Sequence, residues 1–317
     1  MVTILVRNKT MHDLPASKGV ALLRERFPEH TVKFAASPTT EKDLLPDADI
    51  IVGESFPREL LDEAVSLKLY QTVTAGVGYL DLDAFAERDI AVTNAGGVHG
   101  SNMAEHVLGW FLMFSRRLHE GIRRQERNEW RHFGSFRELN GSRVGIIGLG
   151  PIGQTIVARL EGFDVETVGV RYTPSKGGPT DEVYGFDELH EALVGTNYLA
   201  LACPLTETTE QLLSYDEFDT LPHDAIVVNV GRGKVIDTDA LLHALQQNII
   251  HGAALDVTDP EPLPPTHPLW SLGNCLITPH TAGHTPFYWE RIADIIEVNL
   301  ERIKSTGSYS DLKNQVI

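Results

Sequence analysis

The chain has 317 residues, 42% of them hydrophobic and 22% charged, and carries a formal net charge of −17. That length holds one large or two medium domains with full cores, and the acidity argues against nucleic acid and anionic membrane surfaces as partners. No apolar run approaches the roughly 18 residues that a membrane helix needs.

The N-terminus, Met-Val-Thr-Ile-Leu-Val, lacks the basic stretch and cleavage site of a signal peptide. It reads as a first buried strand, and a cytoplasmic location is expected. Through the first third of the chain, strand and helix patterns alternate, the signature of a parallel sheet. Strand-like runs cover residues 2–6, 32–35, 50–53, 71–74 and 91–94, with helix-like stretches at 17–27, 59–64 and 83–88. One small α/β unit explains this region. Within it, Ala75-Gly76-Val77-Gly78 forms a turn of small residues.

A long amphipathic segment follows, from about residue 102 to 128, with Val107, Leu108, Phe111, Leu112 and Phe114 apolar. The loop after it carries Trp130, Phe133 and Phe136, a composition that suits either an interface or local packing. Asn140-Gly141 then turns the chain into its most informative run, Val144 to Gly153. This is a buried strand, then G-x-G-x-x-G, then a helix. Gly148 permits the tight turn, Gly150 lets the backbone approach a pyrophosphate, and Gly153 lets helix and strand pack closely. Pro151 stands where a first-turn proline is tolerated. Ile152, Ile156 and Leu160 recur as on the buried face of a helix. The helix N-terminus offers N–H groups and a positive dipole end to phosphates, so a dinucleotide cofactor is expected.

The next strand, residues 166–170, ends in Arg171. An acid usually stands there and binds the adenosine ribose hydroxyls; an arginine suits a 2′-phosphate, through charge and forked donor geometry. Thr173, Ser175 and Lys176 add donors. NADP(H) is therefore the preferred cofactor, with NAD(H) possible.

Later strands are read at 198–202, 226–230, 252–256 and 276–278, and a long helix at 287–306 with Ile292, Ile295, Ile296, Leu300 and Ile303 apolar. The only cysteines, Cys203 and Cys275, stand in neither a metal nor a redox spacing, so neither a metal site nor a disulfide framework is expected. Arg232, Glu261 and His280 lie just past strand ends, where ligands bind in such sheets. Each alone also reads as a packing or surface residue; their shared position beside the cofactor motif sets them apart. Reducing a 2-keto acid needs such a trio. A histidine protonates the carbonyl oxygen as hydride reaches its carbon. A neighbouring carboxylate favours the protonated imidazole and fixes its tautomer. An arginine binds the substrate carboxylate and polarises the carbonyl. Phe56, Tyr79, Phe287, Tyr288 and Trp289 are candidate walls for an apolar or aromatic keto acid, and core packing explains them equally well.

At these residues the chain resembles the D-isomer-specific 2-hydroxyacid dehydrogenase family, over nearly its whole length. The motifs that carry the resemblance are Gly148–Gly153, Asn229–Gly233, Ala253–Val257 with Glu261-Pro262, and Pro279-His280 with Ala282-Gly283. Ala104-Glu105-His106 and Ser115–Leu118 are similar to the family's long junction helix. The resemblance implies an α/β protein of two doubly wound domains, Rossmann-like and flavodoxin-like, with a cleft between them. Residues 1–98 plus 285–317 would form the substrate domain and 99–284 the dinucleotide-binding domain. It implies Arg232, Glu261 and His280 as the catalytic set. The amides of Ala75, Gly76, Val77 and Gly78 would hold the substrate carboxylate beside Arg232 and His280. Asp256 would contact the nicotinamide carboxamide, Cys203, Pro204 and Thr209 the adenosine side, and Val230, Gly231, Arg232, His280 and Gly283 would line the rest of the cofactor. A homodimer built through the dinucleotide-binding domain is also implied, which gives the aromatic loop a role. Arg171 departs from the family's commoner acid. Formate dehydrogenases of the same fold have glutamine where Glu261 stands. Non-catalytic dinucleotide-sensing corepressors keep the trio, but an acidic chain without partner-binding tails favours the enzyme.

Overall fold

The computed structural model describes residues 1–8 and 15–317 and divides into two units, Met1–Val98 with His284–Ile317, and His99–Gly283. In the first unit β1 (Thr3–Arg7), α1 (Ala16–Arg26), β2 (Thr31–Ala35), α2 (Pro38–Leu44), β3 (Ile50–Gly53), α3 (Arg58–Leu61), β4 (Leu69–Thr72), α4 (Leu82–Ala86) and β5 (Ala91–Thr93) alternate along the chain. The five strands are all parallel, in the order β2-β1-β3-β4-β5. This is the flavodoxin-like doubly wound order. Strand side chains alternate between two cores, as the two-residue period requires. Ile4, Val6, Ile50 and Val52 enter one core; Leu5 and Ile51 enter the other.

The second unit holds α5 (Gly100–Ser115), α6 (Leu118–Glu126), β6 (Arg143–Ile147), α7 (Pro151–Leu160), β7 (Glu166–Val170), β8 (Glu182–Tyr184), α8 (Leu189–Leu193), β9 (Tyr198–Leu201), α9 (Tyr215–Thr220), β10 (Ile226–Asn229), α10 (Thr238–Gln246), β11 (Gly252–Leu255) and β12 (Cys275–Ile277). Its sheet is parallel throughout, ordered β12-β11-β10-β9-β6-β7-β8. Read from β8, this is the Rossmann order with one strand added, and the direction reverses between β6 and β9. Val144, Ile146 and Ala200 face one core, and Ile147, Leu199 and Leu201 the other. Each such buried aliphatic side chain contributes about 1.5–3 kcal/mol over leaving it in water.

The last helix, α11 (Tyr288–Thr306), returns to the first unit. Ile292, Ile295, Ile296 and Leu300 join the core that β1 and β3 share with α1. Trp289 lies flat against Gly19 of α1, where a Cβ would stand 2.3 Å from its ring.

Several expectations shift. The amphipathic segment is two helices, because Arg117 takes a left-handed φ of 52° between α5 and α6. The strand expected at 71–74 is β4 (Leu69–Thr72), and β8 is an extra edge strand. Three of the five proposed pocket walls are core residues: Phe56, Tyr288 and Trp289 are each at most 4% exposed. Aromatic area is worth most inside a core. Only Tyr79 and Phe287 stay at the surface. Among the described residues, no helix is long and apolar enough to cross a membrane.

Candidate active site

The glycine motif sits at the reversal of strand order. Gly148 follows β6 with φ +101°, and a Cβ on it would stand 2.7 Å from the Cys203 nitrogen and 2.8 Å from the Ala202 carbonyl oxygen. A side chain there would meet both a backbone strain and a wall of main chain. Gly153, in the first turn of α7, packs so closely that a Cβ would stand 1.9 Å from the Gly148 oxygen. Gly150 differs: it is exposed, and nothing lies within 4 Å of where its Cβ would be. Pro151 opens α7, and the N–H groups of Ile152 and Gly153 have no acceptor one turn back in the helix. An open, side-chain-free approach to a helix N-terminus fits a dinucleotide pyrophosphate.

Arg171 follows β7, partly buried, with its Nη1 donating to the Gly177 oxygen. Ser175 and Lys176 lie in the short turn beside it, both exposed. Cys203 is buried after β9, and burial raises its thiol pKa to about 11. Its main chain lies close to both Gly148 and Gly231, and its side chain joins the core. Pro204 is exposed; Thr209 is buried, its Oγ1 donating to the Pro204 oxygen at 2.6 Å and accepting the Thr206 N–H at 2.8 Å. Thr209 therefore shapes its own turn. Val230 and Gly231, after β10, are buried as well.

Arg232 follows β10, exposed, with Nη1 donating to the Gly231 oxygen at 2.7 Å. Glu261 stands in the loop after β11, and His280 follows β12. These three strands are parallel neighbours, so all three side chains rise from one edge of the sheet. His280 Nδ1 lies 2.6 Å from Glu261 Oε1, both about half exposed. With Nδ1 engaged by the carboxylate, Nε2 is the nitrogen left for a substrate. His280 holds a left-handed φ of 53°, and its N–H donates to the main-chain oxygens of Asp256 at 2.8 Å and Thr278 at 3.0 Å.

Asp256 is 2% exposed. Its Oδ1 accepts from Thr278 Oγ1 at 2.6 Å and the Thr281 N–H at 2.9 Å, and its Oδ2 from the Ala282 N–H at 2.9 Å. Both carboxylate oxygens are engaged by the loop that carries His280. Gly283 closes that loop, its oxygen 2.8 Å from His99 Nδ1. Reasoning from sequence missed this anchoring; an acid ending an apolar strand was its only trace.

Along the carboxyl edge the sheet order places Arg171, Gly148, Cys203, Arg232, Glu261 and His280 in succession. At about 4.8 Å per strand this is about 24 Å of edge, a span suited to an extended dinucleotide with a reacting group at its far end. In the first unit, Ala75, Gly76 and Gly78 are exposed just past β4, and Val77 is partly so. Asn94 Nδ2 and Thr74 Oγ1 fasten the turn by donating to the Ala75 and Gly76 oxygens, each at 2.8 Å.

Residues 108–282 match the family described as D-isomer specific 2-hydroxyacid dehydrogenase, NAD binding domain. The chain belongs to the D-isomer-specific 2-hydroxyacid dehydrogenases. It is an NAD(P)-dependent oxidoreductase of that family. A glyoxylate reductase of Thermofilum pendens is 32% identical over 259 residues, covering 79% of this chain and 76% of the relative. A solved family protein of Aeromonas salmonicida superposes with a TM-score of 0.83 at 29% identity, covering 100% of this chain and 99% of that one. A family dehydrogenase of Xanthobacter autotrophicus, solved in complex with NADPH and MES, gives 0.80 at 28% identity, covering 100% and 98%.

Proposed function

We propose that this dehydrogenase reduces a small 2-keto acid to the D-2-hydroxy acid, with NADP(H) preferred over NAD(H). The observation that carries the reading is the 2.6 Å pairing of His280 Nδ1 with Glu261 on the edge that also bears Arg232. When bound along that edge, the nicotinamide cofactor supplies the hydride. Arg232 binds the substrate carboxylate and polarises the carbonyl. His280 Nε2–H gives its proton to the carbonyl oxygen, and Glu261 holds the imidazolium in place until then. In the reverse direction the same nitrogen takes the hydroxyl proton. In the first unit, the exposed Ala75–Gly78 turn offers backbone N–H groups to an anion. Arg171, with Thr173, Ser175 and Lys176 near it, reads the 2′-phosphate. The glyoxylate reductase relative makes glyoxylate the first substrate to try. Trp130, 99% exposed, and Phe136 provide apolar surface for a homodimer through this unit.

Glyoxylate, pyruvate, hydroxypyruvate, 2-ketoisocaproate and phenylpyruvate, each assayed with NADPH and NADH, test the reading. Turnover to the D-product, faster with NADPH, supports it. Tight cofactor binding without turnover on any of them overturns it in favour of a dinucleotide sensor. Light scattering on the native chain and on Trp130→Glu tests the dimer; equal masses at the monomer value refute it.

A further inference from the structure

Three side chains at the start of α5 meet the loop that carries His280. His99 Nδ1 lies 2.8 Å from the Gly283 oxygen, Asn102 Nδ2 donates to the Ala282 oxygen at 2.7 Å, and His106 Nε2 lies 3.2 Å from Thr278 Oγ1. Their spacing of three and then four residues puts them on one face of the helix. They grip the loop on both sides of His280. The hydroxyl of Thr278 has one proton, and at 2.6 Å from a carboxylate it gives that proton to Asp256. Its oxygen is then an acceptor toward His106, which fixes the neutral His106 ring as the Nε2–H tautomer. The result is a directed chain, His106 to Thr278 to Asp256, and Asp256 in turn holds Thr281 and Ala282. Trp110 meets the His106 ring edge-on at 5.4 Å and holds it from behind.

A non-glycine residue in the left-handed region persists only where its surroundings over-determine it, and His280 is such a residue. We propose that His106 is a positioning residue for catalysis: through Thr278 and Asp256 it sets where the His280 imidazole stands. This rests on His280 being the acid/base. The effect is large because proton transfer is steeply sensitive to placement; about 1 Å of error costs about 10²-fold.

The test compares His106→Phe, His106→Gln, Thr278→Val and the His106→Phe/Thr278→Val double variant. Phe keeps the ring and loses the donor, Gln keeps a donor, and Val keeps the shape of Thr without its hydroxyl. His106→Phe and Thr278→Val should each lower kcat about 10-fold, with His106→Gln recovering most of the loss. The double variant should lose no more than either single one, because both break one chain. Hydrogen–deuterium exchange on the cofactor-free protein gives a readout independent of activity: the 278–283 segment should exchange faster in both single variants, with the glycine-motif segment unchanged. Wild-type kcat and exchange in His106→Phe, multiplicative losses in the double variant, or faster exchange spread over the whole unit would each overturn the proposal. His280→Ala, run alongside, separates the two readings. Full turnover in that variant removes His280 as the acid/base, whereas the exchange data still decide whether α5 grips the loop.

Discussion

Glu261 and His280 come from the loops after two adjacent parallel strands, and their side chains close to 2.6 Å. A carboxylate at Nδ1 leaves Nε2 as the nitrogen open to a substrate and fixes the orientation of the ring. His280→Ala should therefore lower turnover by about 10²–10⁴, and Glu261→Gln by about 10–100-fold, the equivalent of one hydrogen bond to a charged group, since the ring keeps a partner but loses the charge. Steady-state kinetics with the best keto acid of the panel decides; wild-type turnover in His280→Ala rejects the assignment.

Arg171 gives the second expectation. Replacing it by Asp removes a charged donor and installs an acceptor for ribose hydroxyls. The ratio of kcat/KM with NADPH to that with NADH should fall about 10–100-fold, the equivalent of one charged hydrogen bond. An unchanged ratio would show that Arg171 is not the phosphate reader.

Gly153 leaves no room for a methyl group against the Gly148 carbonyl. Gly153→Ala must push α7 away from β6, at a cost of about 1–3 kcal/mol of overpacking, and the displaced helix start should weaken cofactor binding. Urea unfolding and titration of cofactor fluorescence measure the two effects. Gly150→Ala, at an open position, should spare stability and weaken only the cofactor.

His106, His119 and His251 all have pKa values lowered from 6.5, in each case first by burial. Their folded forms resist protonation that the unfolded chain accepts. Stability from this source is present above pH 6.5 and is lost as pH falls through the lowered values. Thermal melts should decline through the mildly acid range, and His251→Gln should flatten part of that decline. A melting temperature that is level down to the carboxylate range would contradict this.

The strands and the glycine motif were legible because apolar runs and fixed glycine offsets are local signals. β8 was not, since three residues at a sheet edge carry no period. The break at Arg117 was hidden because the residues on both sides favour helix, and only the backbone angle reveals it. The anchoring role of Asp256 depends on partners 22 to 26 residues later, a distance at which sequence spacing says nothing. Phe56, Tyr288 and Trp289 were ambiguous for a different reason: an aromatic ring that lines a pocket and one that fills a core look the same until neighbours are known.

The return of α11 to the first unit has a consequence for biosynthesis. Until the ribosome has made that last helix, the segment bearing Gly19 has no indole to cover it, and β1 and β3 lack about a third of one core. The nascent amino-terminal portion must wait, partly open, while the dinucleotide-binding portion is completed. The second of the two units to be translated is thus the first that can finish folding.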